Sequence, residues 1–468
     1  MNKPIVHLIA LTCTVVVMLA DSGQAQDTNY WSLQYGTRSE LLTGATTGSL
    51  MGLSNTYYNP GGLSLIKDPT LILSTLAFAL ENITAENSLG TDVDLVSNRI
   101  ASLPSFFAGR LDFDSSRRHQ FAYSFLTRQE MKLRVDGKLI ESYEPPGGGG
   151  SVSSFAGEGF FSQDLSEVWG GLTWSHRPRT KFGIGITQYV AIRSQTTRRQ
   201  TIAQVVQETG ESAALISLDE FSYNHWRLLW KLGMAVDLEP LTLGLTVTTP
   251  SLGLFGSGSS FINASLLGVD LDDDGTEDPF LASNYQKDLS SHYQSPWAVA
   301  AGASYLFNHT TLHLSAEWFN AVKNFTVVAA EDFRSQTSGL VIRSSAEHEL
   351  KSVVNFGLGI EQNITEKFSL TGSFATDYSA RSPGSDISIS SWDIYHITAG
   401  SRFYVKGFEL TLGVEHAFGS SLTLTQANFN PDNPSDVLDE ERTTATRYGR
   451  WEFMVGFSYG FLDGAEKN

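Results

Sequence analysis

Long stretches in which apolar and polar residues alternate constrain this chain more than any other feature of its sequence. From residue 70 onward, segments of about 10 to 16 residues place an apolar side chain at every second position. In the clearest of them, one face consists of Trp451, Phe453, Val455, Phe457, Tyr459 and Phe461. A period of two indicates β-strands, each with a continuous apolar face.

The connections between these strands alternate in length. We count about fourteen strands, near residues 70–83, 101–113, 119–131, 165–177, 180–194, 222–238, 241–250, 293–307, 310–328, 350–363, 367–380, 391–405, 407–421 and 446–462. Turns of a few residues alternate with long loops near 84–100, 132–164, 195–221, 251–292, 329–349, 381–390 and 422–445. Short turns on one side and long loops on the other are typical of outer-membrane β-barrels.

The two strand faces favour a membrane barrel over a soluble propeller or sandwich. One face carries charges and glycines, as a wet lumen would, and the apolar face ends in Trp and Tyr, as at a membrane interface. Because a barrel this wide is too large for its own side chains to fill, it must be open or plugged. We predict an all-β fold, a transmembrane antiparallel β-barrel of about fourteen strands plugged by a small N-terminal hatch.

The N-terminus has the features of a secretory signal peptide. Lys3 supplies the positive charge, residues 5–19 are almost wholly apolar, and Gly23-Gln24-Ala25 has the small-x-small pattern of a cleavage site. Cys13 falls within this signal, so disulfides do not stabilise the mature chain. We place the signal peptide at 1–25, the hatch at 26–69, the barrel at 70–462 and a short tail at 463–468.

Charge and motifs argue against two broad classes of function. The formal net charge of −18 argues against nucleic-acid partners, which require basic surfaces. The sequence has no G-x-S-x-G, H-E-x-x-H or P-loop motif. A barrel enzyme would need a Ser/His pair within hydrogen-bond reach, and the pattern places His176, His396 and His416 outward or at strand ends. We therefore predict that the protein is not an enzyme.

The segment before the first strand fits neither the signal nor the alternating pattern. Its glycines make long regular elements unexpected, and Asn59-Pro60-Gly61 indicates a tight reversal. Arg38-Ser39, then Leu41-Leu42-Thr43-Gly44-Ala45, then Asn59-Pro60 resemble the hatch of the FadL/TodX family. These proteins are bacterial outer-membrane transporters for long-chain fatty acids and other hydrophobic molecules. The family's usual N-P-A is N-P-G in this chain.

The resemblance implies a mechanism as well as a fold. Outside loops would capture the ligand, an apolar pocket above the hatch would receive it, and a shift of the hatch's N-terminal end would release it. Ligand would then leave sideways through a gap made by a kinked third strand. The segment 119–131 has no Gly or Pro to mark such a kink. Some of the predicted lumen charges are expected to hold the hatch, with simple hydration as the alternative for any single one. These charges are Arg227, Lys231, Asp237, Glu317, Asp377, Glu409, Glu415 and Glu452.

Several outside loops contain apolar residues that water-exposed loops usually lack. A capture groove for an apolar ligand would use them, although packing of loop on loop would require the same residues. Arg227 and Lys231 face the lumen in the predicted pattern and would meet a carboxylate head group. The candidate apolar residues are Phe155, Phe160, Phe161, Leu215, Ile216, Phe221, Leu254 and Phe255.

One acidic loop has the spacing of half a calcium site. Asp270, Asp272, Asp274 and Asp278 lie around Gly275, and carboxylates at alternate positions suit calcium. Leu281 occupies the position where an EF-hand has its bidentate glutamate, so a solvated acidic loop is the alternative. A calcium ion here would order the loop. We expect no other cofactor.

These features predict a monomeric outer-membrane channel for long-chain fatty acids or other hydrophobic small molecules. Three alternatives remain. A general porin would have polar mouth loops and no plug, a surface adhesin would have a blocked lumen, and a barrel enzyme would have the Ser/His pair. The expected partners are the hydrophobic ligand and outer-membrane lipid.

Overall fold

The computed structural model describes residues 28–66, 71–86, 95–111, 118–143, 153–207, 212–268, 276–382, 391–405, 408–425 and 442–459. Antiparallel strands dominate these residues, which confirms the predicted all-β class. The predicted signal peptide at 1–25 and the tail at 463–468 lie outside the described residues. Within the described ranges, no helix has the length and apolar character needed to cross a membrane.

Short helical pieces precede the strands. Helices α1 (Thr37–Leu41) and α2 (Asn55–Tyr58) alternate with 3-10 turns at Gly52–Ser54 and Pro60–Leu65. The strands are β1 (Leu71–Ala85), β2 (Leu95–Leu111), β3 (His119–Tyr143), β4 (Ser153–Arg179), β5 (Phe182–Gln207), β6 (Ser212–Asp237), β7 (Leu241–Thr248), β8 (Leu252–Leu267), β9 (Phe280–Ser290), β10 (Ala298–Phe307), β11 (Thr310–Phe319), β12 (Val322–Val328), β13 (Phe333–Arg334), β14 (Val341–Ile342), β15 (Ala346–Leu350), β16 (Val353–Thr365), β17 (Phe368–Asp377), β18 (Asp393–Val405), β19 (Phe408–Thr425) and β20 (Arg442–Tyr459).

Antiparallel pairing links the longer strands in sequence order. Each of β1 to β6 pairs with the next, β7 pairs with β10, β10 with β11, and β11 with β16. The pairing then runs from β16 through β20, and β20 pairs with β1. β8 and β9 extend the ladder from the outer half of β6, and β12 to β15 form two small separate pairs. Every predicted strand overlaps a strand of this ladder.

The two faces of the ladder differ in chemistry. The hatch, described over residues 28–66, packs against the inner face, where polar side chains such as His313, Asn355 and Thr398 are buried. The outer face exposes large apolar side chains on successive strands. Examples are Phe125, Leu172, Leu232, Leu245, Leu314, Phe356, Leu370, Ile397, Leu412 and Phe453. A polar inner face with an apolar outer face is the arrangement that a barrel in lipid requires.

The strands from β3 to β6 are much longer than the sequence predicts. The predicted loops at 132–164 and 195–221 are largely strand, and the predicted loop at 251–292 contains β8 and β9. At about 3.3 Å per residue, the 27-residue β4 exceeds the apolar band of about 25 Å that a barrel presents to lipid. Beyond that band both faces can be polar, so an apolar face no longer marks the strand. The loop predictions were wrong there for this reason.

The predicted calcium loop falls mostly outside the described residues. Asp270, Asp272 and Asp274 are among the residues that the structure does not describe, and Asp278 lies half-buried just before β9. Within the described part of the chain, no three His, Cys, Asp or Glu side chains cluster as metal ligands. Calcium binding stays a prediction.

Candidate ligand-binding site

The Asn-Pro-Gly motif seats the end of the hatch on the ladder. Asn59 Nδ2 donates to the carbonyl oxygens of Thr47 and Met234 at 3.0 and 2.9 Å, and its Oδ1 accepts from the Gly61 amide at 3.1 Å. A Cβ added to Gly61 would lie 2.7 Å from the carbonyl oxygen of Gly233. The hatch backbone approaches β6 this closely only because position 61 lacks a side chain. This contact explains why the chain has N-P-G in place of N-P-A.

Buried charges hold the beginning of the hatch. Asp377 on β17 accepts hydrogen bonds from the Trp31 amide and the Ser32 hydroxyl, both at 2.9 Å. Arg450 on β20 donates to the Ser32 carbonyl oxygen at 2.8 Å and pairs with Glu415 at 2.9 Å. The expectation that inner-face charges hold the hatch therefore agrees with these contacts.

Helix α1 carries a second ionic contact to the ladder. Arg38 donates two hydrogen bonds of 2.8 Å to the carboxylate of Glu361, and Arg402 pairs with the same carboxylate at 2.8 Å. Burial lowers the pKa of Arg38, but the Glu361 carboxylate outweighs that effect and raises it above the ordinary value. The bidentate pair fixes both the position and the orientation of the helix.

A group of buried charged side chains lies beside the hatch on the inner face. Glu167 on β4 pairs with Arg193 on β5 at 3.0 Å and also with Arg227 on β6. Its carboxylate further accepts a hydrogen bond of 2.6 Å from the indole N–H of Trp169. Two guanidinium groups share one carboxylate, so the group carries a net positive charge when all three ionise.

A β-bulge adds a third arginine to this region. The pairing of β3 with β4 shifts between Thr127 and Gln129, so Arg128 and Gln129 are both buried. Arg128 donates to the carbonyl oxygen of Tyr30 in the hatch at 2.7 Å. Its guanidinium carbon lies 5.6 Å from the ring centroid of Trp169. The bulge thus directs the guanidinium group of Arg128 on β3 toward the hatch.

The tyrosines of the hatch meet these cations as neutral rings. Burial raises the pKa of Tyr35 to about 12, and it raises the pKa values of Tyr57 and Tyr58 well above their ordinary value. The phenols therefore stay protonated near neutral pH and do not offset the charge of the arginines. Lys231 Nζ lies 4.0 Å from the ring centroid of Tyr57, which is a cation–π contact.

Glu167, Arg193 and Arg227 together form the arginine group. A small cavity of about 40 Å³ lies between the hatch and this group. Tyr30, Arg128, Trp169, Arg227 and Tyr293 form part of its wall. The guanidinium carbon of Arg227 lies 4.6 Å from the ring centroid of Tyr293. Among the described residues, Nε and Nη1 of Arg227 have no hydrogen-bond partner. A cavity of this size with unpaired N–H groups can hold water or a carboxylate.

A larger cavity of about 650 Å³ lies where β2 and β3 separate. Their pairing ends at Phe106 and Leu126, although β3 continues to Tyr143. The cavity is lined by inner-face residues that include Phe106 and by the outer-face residues Phe125 and Leu172, which are 57% and 66% exposed. It therefore reaches the outer surface, and its volume is in the range of small-molecule sites.

Some of the predicted ligand residues lie near these cavities. Arg227 lines the small cavity, whereas Lys231 contacts the hatch. Phe221 is buried in an apolar cluster with Tyr293, above the arginine group along β6. Leu215 is buried farther along β6, and Ile216 is half-buried next to it. Ligand binding by these residues stays a prediction.

The remaining predicted ligand residues lie on strands and apart from the two cavities. Phe155, Phe160 and Phe161 are part of β4, and Phe161 packs against an inner-face cluster around Leu165. Leu254 and Phe255 are exposed on β8, with Phe255 61% exposed. The prediction that these residues form loop tips was wrong because the strands continue through them.

The sequence-based prediction missed most of the charged residues around Glu167. Glu167, Trp169, Arg193 and Tyr293 were not named, nor was Arg128. Glu167 is separated from the buried inner-face residues Thr173 and Ser175 by an even number of positions along β4, so it lies on the same face. This spacing was the signal in the sequence that could have placed Glu167 on the inner face. Arg128 was hidden by the bulge, because the inner-face positions of β3 change there from even to odd numbers.

The histidines differ from the prediction at one position. His396 lies buried on the inner face, with Nδ1 3.0 Å from a carboxylate oxygen of Glu415. A Ser/His pair also exists, since Ser49 Oγ lies 2.9 Å from Nδ1 of His313. Ser49 of the hatch and His313 of β11 are both buried where the hatch meets the ladder, and neither lines the two cavities described above.

Solved structures resemble this arrangement over nearly the whole chain. A Pseudomonas aeruginosa FadL homologue matches at a TM-score of 0.57 with 14% identity, covering 93% of this chain and 100% of its own. The P. putida toluene transporter TodX matches at 0.60 with 12% identity, covering 92% and 99%. The chain has the FadL-type fold. The Ralstonia pickettii toluene transporter TbuX matches at 0.56 with 11% identity, covering 92% and 99%. No protein-family model and no curated protein sequence matches the chain.

The FadL-type fold agrees with the resemblance that the hatch motifs indicated. The third strand is continuous, and the irregularity in it is the bulge at Arg128, where its register against β4 shifts. Neither Gly nor Pro is needed, because one additional residue in a strand suffices to bend it and to end pairing on one side. The named neighbours include transporters and channels.

Proposed function

We propose that the protein is a FadL-type channel that carries hydrophobic small molecules across the outer membrane as a monomer. A succession of strand pairs that returns from β20 to β1 supports a closed barrel of fourteen strands, whose apolar outer face would lie in lipid. The hatch fills the lumen and would gate it. Solvent-facing extensions of β3 to β6 and β8 would capture the ligand in place of the expected loops.

The observation that carries this proposal is the cavity between β2 and β3. It is large, mostly apolar, and open to the outer face where the β2–β3 pairing ends at Phe106 and Leu126. A general porin passes polar solutes through its water-filled lumen, so an apolar opening in its wall would not serve transport. A molecule that partitions into lipid can leave through such an opening without crossing the periplasmic turns. We therefore place the exit of the ligand here.

The arginine group indicates the chemistry of the ligand's head. Arg227 offers unpaired N–H groups to the small cavity, and it shares Glu167 with Arg193. A carboxylate would satisfy these donors and balance the surplus positive charge. This favours a long-chain fatty acid. The toluene transporters with the same fold are named for a neutral ligand, so an aromatic hydrocarbon is the second candidate.

Uptake by cells that lack their own fatty-acid transporter tests the proposal. Cells that express the chain should accumulate labelled oleate, and Arg227→Met should lower that uptake about tenfold because a buried ion pair and the head-group contact are lost. Arg134→Gln is the matched control, since Arg134 is 73% exposed. Folding of each variant is checked by heat-modifiable migration in gels.

Other outcomes would redirect the assignment. Uptake of toluene without uptake of oleate would retain the channel and replace the carboxylate ligand. Passage of small polar solutes without either compound would favour the general porin. Binding of cells or surfaces with no uptake of any solute would favour the adhesin.

A further inference from the structure

Trp169 stands between the two cavities. Among the described residues that line them, Trp169 alone contributes to both the small cavity at the arginine group and the large cavity at the outer face. Each of its neighbours lines one cavity only: Glu167 and Arg128 line the small cavity, and Gly170 lines the large one. A ligand that passes from the charged site to the lateral opening must pass this indole.

Tyr57, Tyr189 and Glu167 contact the indole, in addition to the guanidinium group of Arg128. The ring centroid of the indole lies 6.2 Å from that of Tyr57 in the hatch and 5.3 Å from that of Tyr189 on β5. Its N–H donates to Oε1 of Glu167 at 2.6 Å. The same Oε1 pairs with Arg227, and Oε2 pairs with Arg193. The orientation of Trp169 therefore depends on a carboxylate whose other partners are Arg193 and Arg227, and Arg227 lines the small cavity.

We propose that Trp169 is the gate between the two cavities and that an anionic head group opens it by displacing Glu167 from Arg227. This inference rests on the proposed channel function and adds a residue that determines specificity. A head-group carboxylate in the small cavity accepts from the free N–H groups of Arg227. It also repels the Glu167 carboxylate, because like charges a few ångströms apart interact strongly in a buried site.

The consequence for Trp169 follows from the shared oxygen. When Glu167 moves from Arg227 toward Arg193, its Oε1 no longer lies where the indole N–H reaches it. The ring is then free to rotate against Tyr57 and Tyr189, which contact it only through its faces and edges. A neutral molecule in the small cavity has no charge with which to move Glu167, so the gate discriminates by head group.

Uptake of two matched probes tests the gate. Labelled oleic acid and labelled oleyl alcohol have the same chain, and only the acid is anionic. Wild-type protein should favour the acid by about tenfold, a ratio that a single charge contact can supply. Trp169→Ala should admit the alcohol as well as the acid, so that the ratio falls severalfold, and only the direct contact of the acid with Arg227 remains to favour it. Trp169→Phe keeps a ring but loses the N–H, and it should give an intermediate ratio.

Trp174→Ala is the matched control. Trp174 lies on the same strand but on the outer face, where its N–H donates to His119 at 3.2 Å. This variant should keep the wild-type ratio. Heat-modifiable migration identifies any variant that has failed to fold, and Trp169→Phe then carries the test because it changes volume least.

The failures of the two proposals differ. Wild-type protein that favours the acid, together with folded Trp169 variants of unchanged ratio, would overturn the gate and leave the channel intact. Wild-type protein that takes up neither probe would overturn the gate and the fatty-acid ligand together, and uptake of toluene would then decide whether the channel stands. Equal uptake of both probes by the wild type would overturn the head-group control.

Discussion

The ammonium group of Lys231 lies 4.0 Å from the ring centroid of Tyr57 and joins strand β6 to the hatch. Lys231 is 3% exposed, and the ring that it meets also packs against Trp169. The contact links the motif region of the hatch to the wall that carries Arg227. Lys231, which the sequence predicted as a ligand contact, thus contacts the hatch.

Replacing Lys231 should loosen the hatch without changing the ladder. Lys231→Met removes a cation–π contact that contributes about 0.5 to 2 kcal/mol. Amide hydrogen exchange in residues 55–62 should become several-fold faster, and exchange in β6 should stay unchanged. Lys287→Met on the exposed side of β9 is the control. Equal exchange in wild type and Lys231→Met would mean that the contact has no energetic role.

A methyl group at position 61 should displace the end of the hatch. In Gly61→Ala the added Cβ would lie 2.7 Å from the Gly233 carbonyl oxygen, which cannot move without bending β6. We expect destabilisation of about 1 to 3 kcal/mol, typical of overpacking, and increased passage of small solutes. Gly449→Ala is the control because an added Cβ there meets nothing within 4 Å. Single-channel conductance measures the leak, and a variant as tight as wild type would contradict the packing argument.

The ladder was predictable because its strands keep one apolar and one polar face. Phe453 and Phe457 on the outer face alternate with inner-face residues of β20, and the same period identified each predicted strand. In the extended part of β4 this alternation weakens. Phe160 on β4 has exposed or half-buried neighbours on both sides, so its stretch did not stand out as strand.

The charged site was harder to predict because it depends on register across strands. Arg227 was identified from its own strand, but its partner Glu167 is on β4 and Arg193 is on β5. Only the paired register of the three strands brings them together. The bulge at Arg128 adds a shift of one residue that the composition of β3 does not reveal.

Neutralising Asp377 should release the start of the hatch. Its carboxylate accepts from Trp31 and Ser32 and is fully buried, and a hydrogen bond to a charged group contributes about 1.5 to 3 kcal/mol. In Asp377→Asn, hydrogen exchange at residues 29–33 should accelerate by about tenfold or more. Asp219→Asn is the control, since that carboxylate is 43% exposed and its contact with Arg199, at 3.8 Å, is long for an ion pair. The anchoring role fails if both variants protect residues 29–33 as well as wild type does.

Filling the lateral cavity should block transport while the lumen stays as it is. Gly170 lines that cavity, and a Cβ there would lie 3.2 Å from the ring of Phe125, which is free to shift at the surface. Gly170→Leu therefore places a side chain into the opening at little cost in folding. Uptake of oleate should fall about tenfold, whereas any conductance to small ions should be unaffected. Gly372→Leu is the control, because its nearest neighbours lie 3.9 Å from an added Cβ. Gly170 lines the opening and Gly372 does not. Normal uptake by Gly170→Leu would therefore mean that the ligand leaves at another place in the barrel wall.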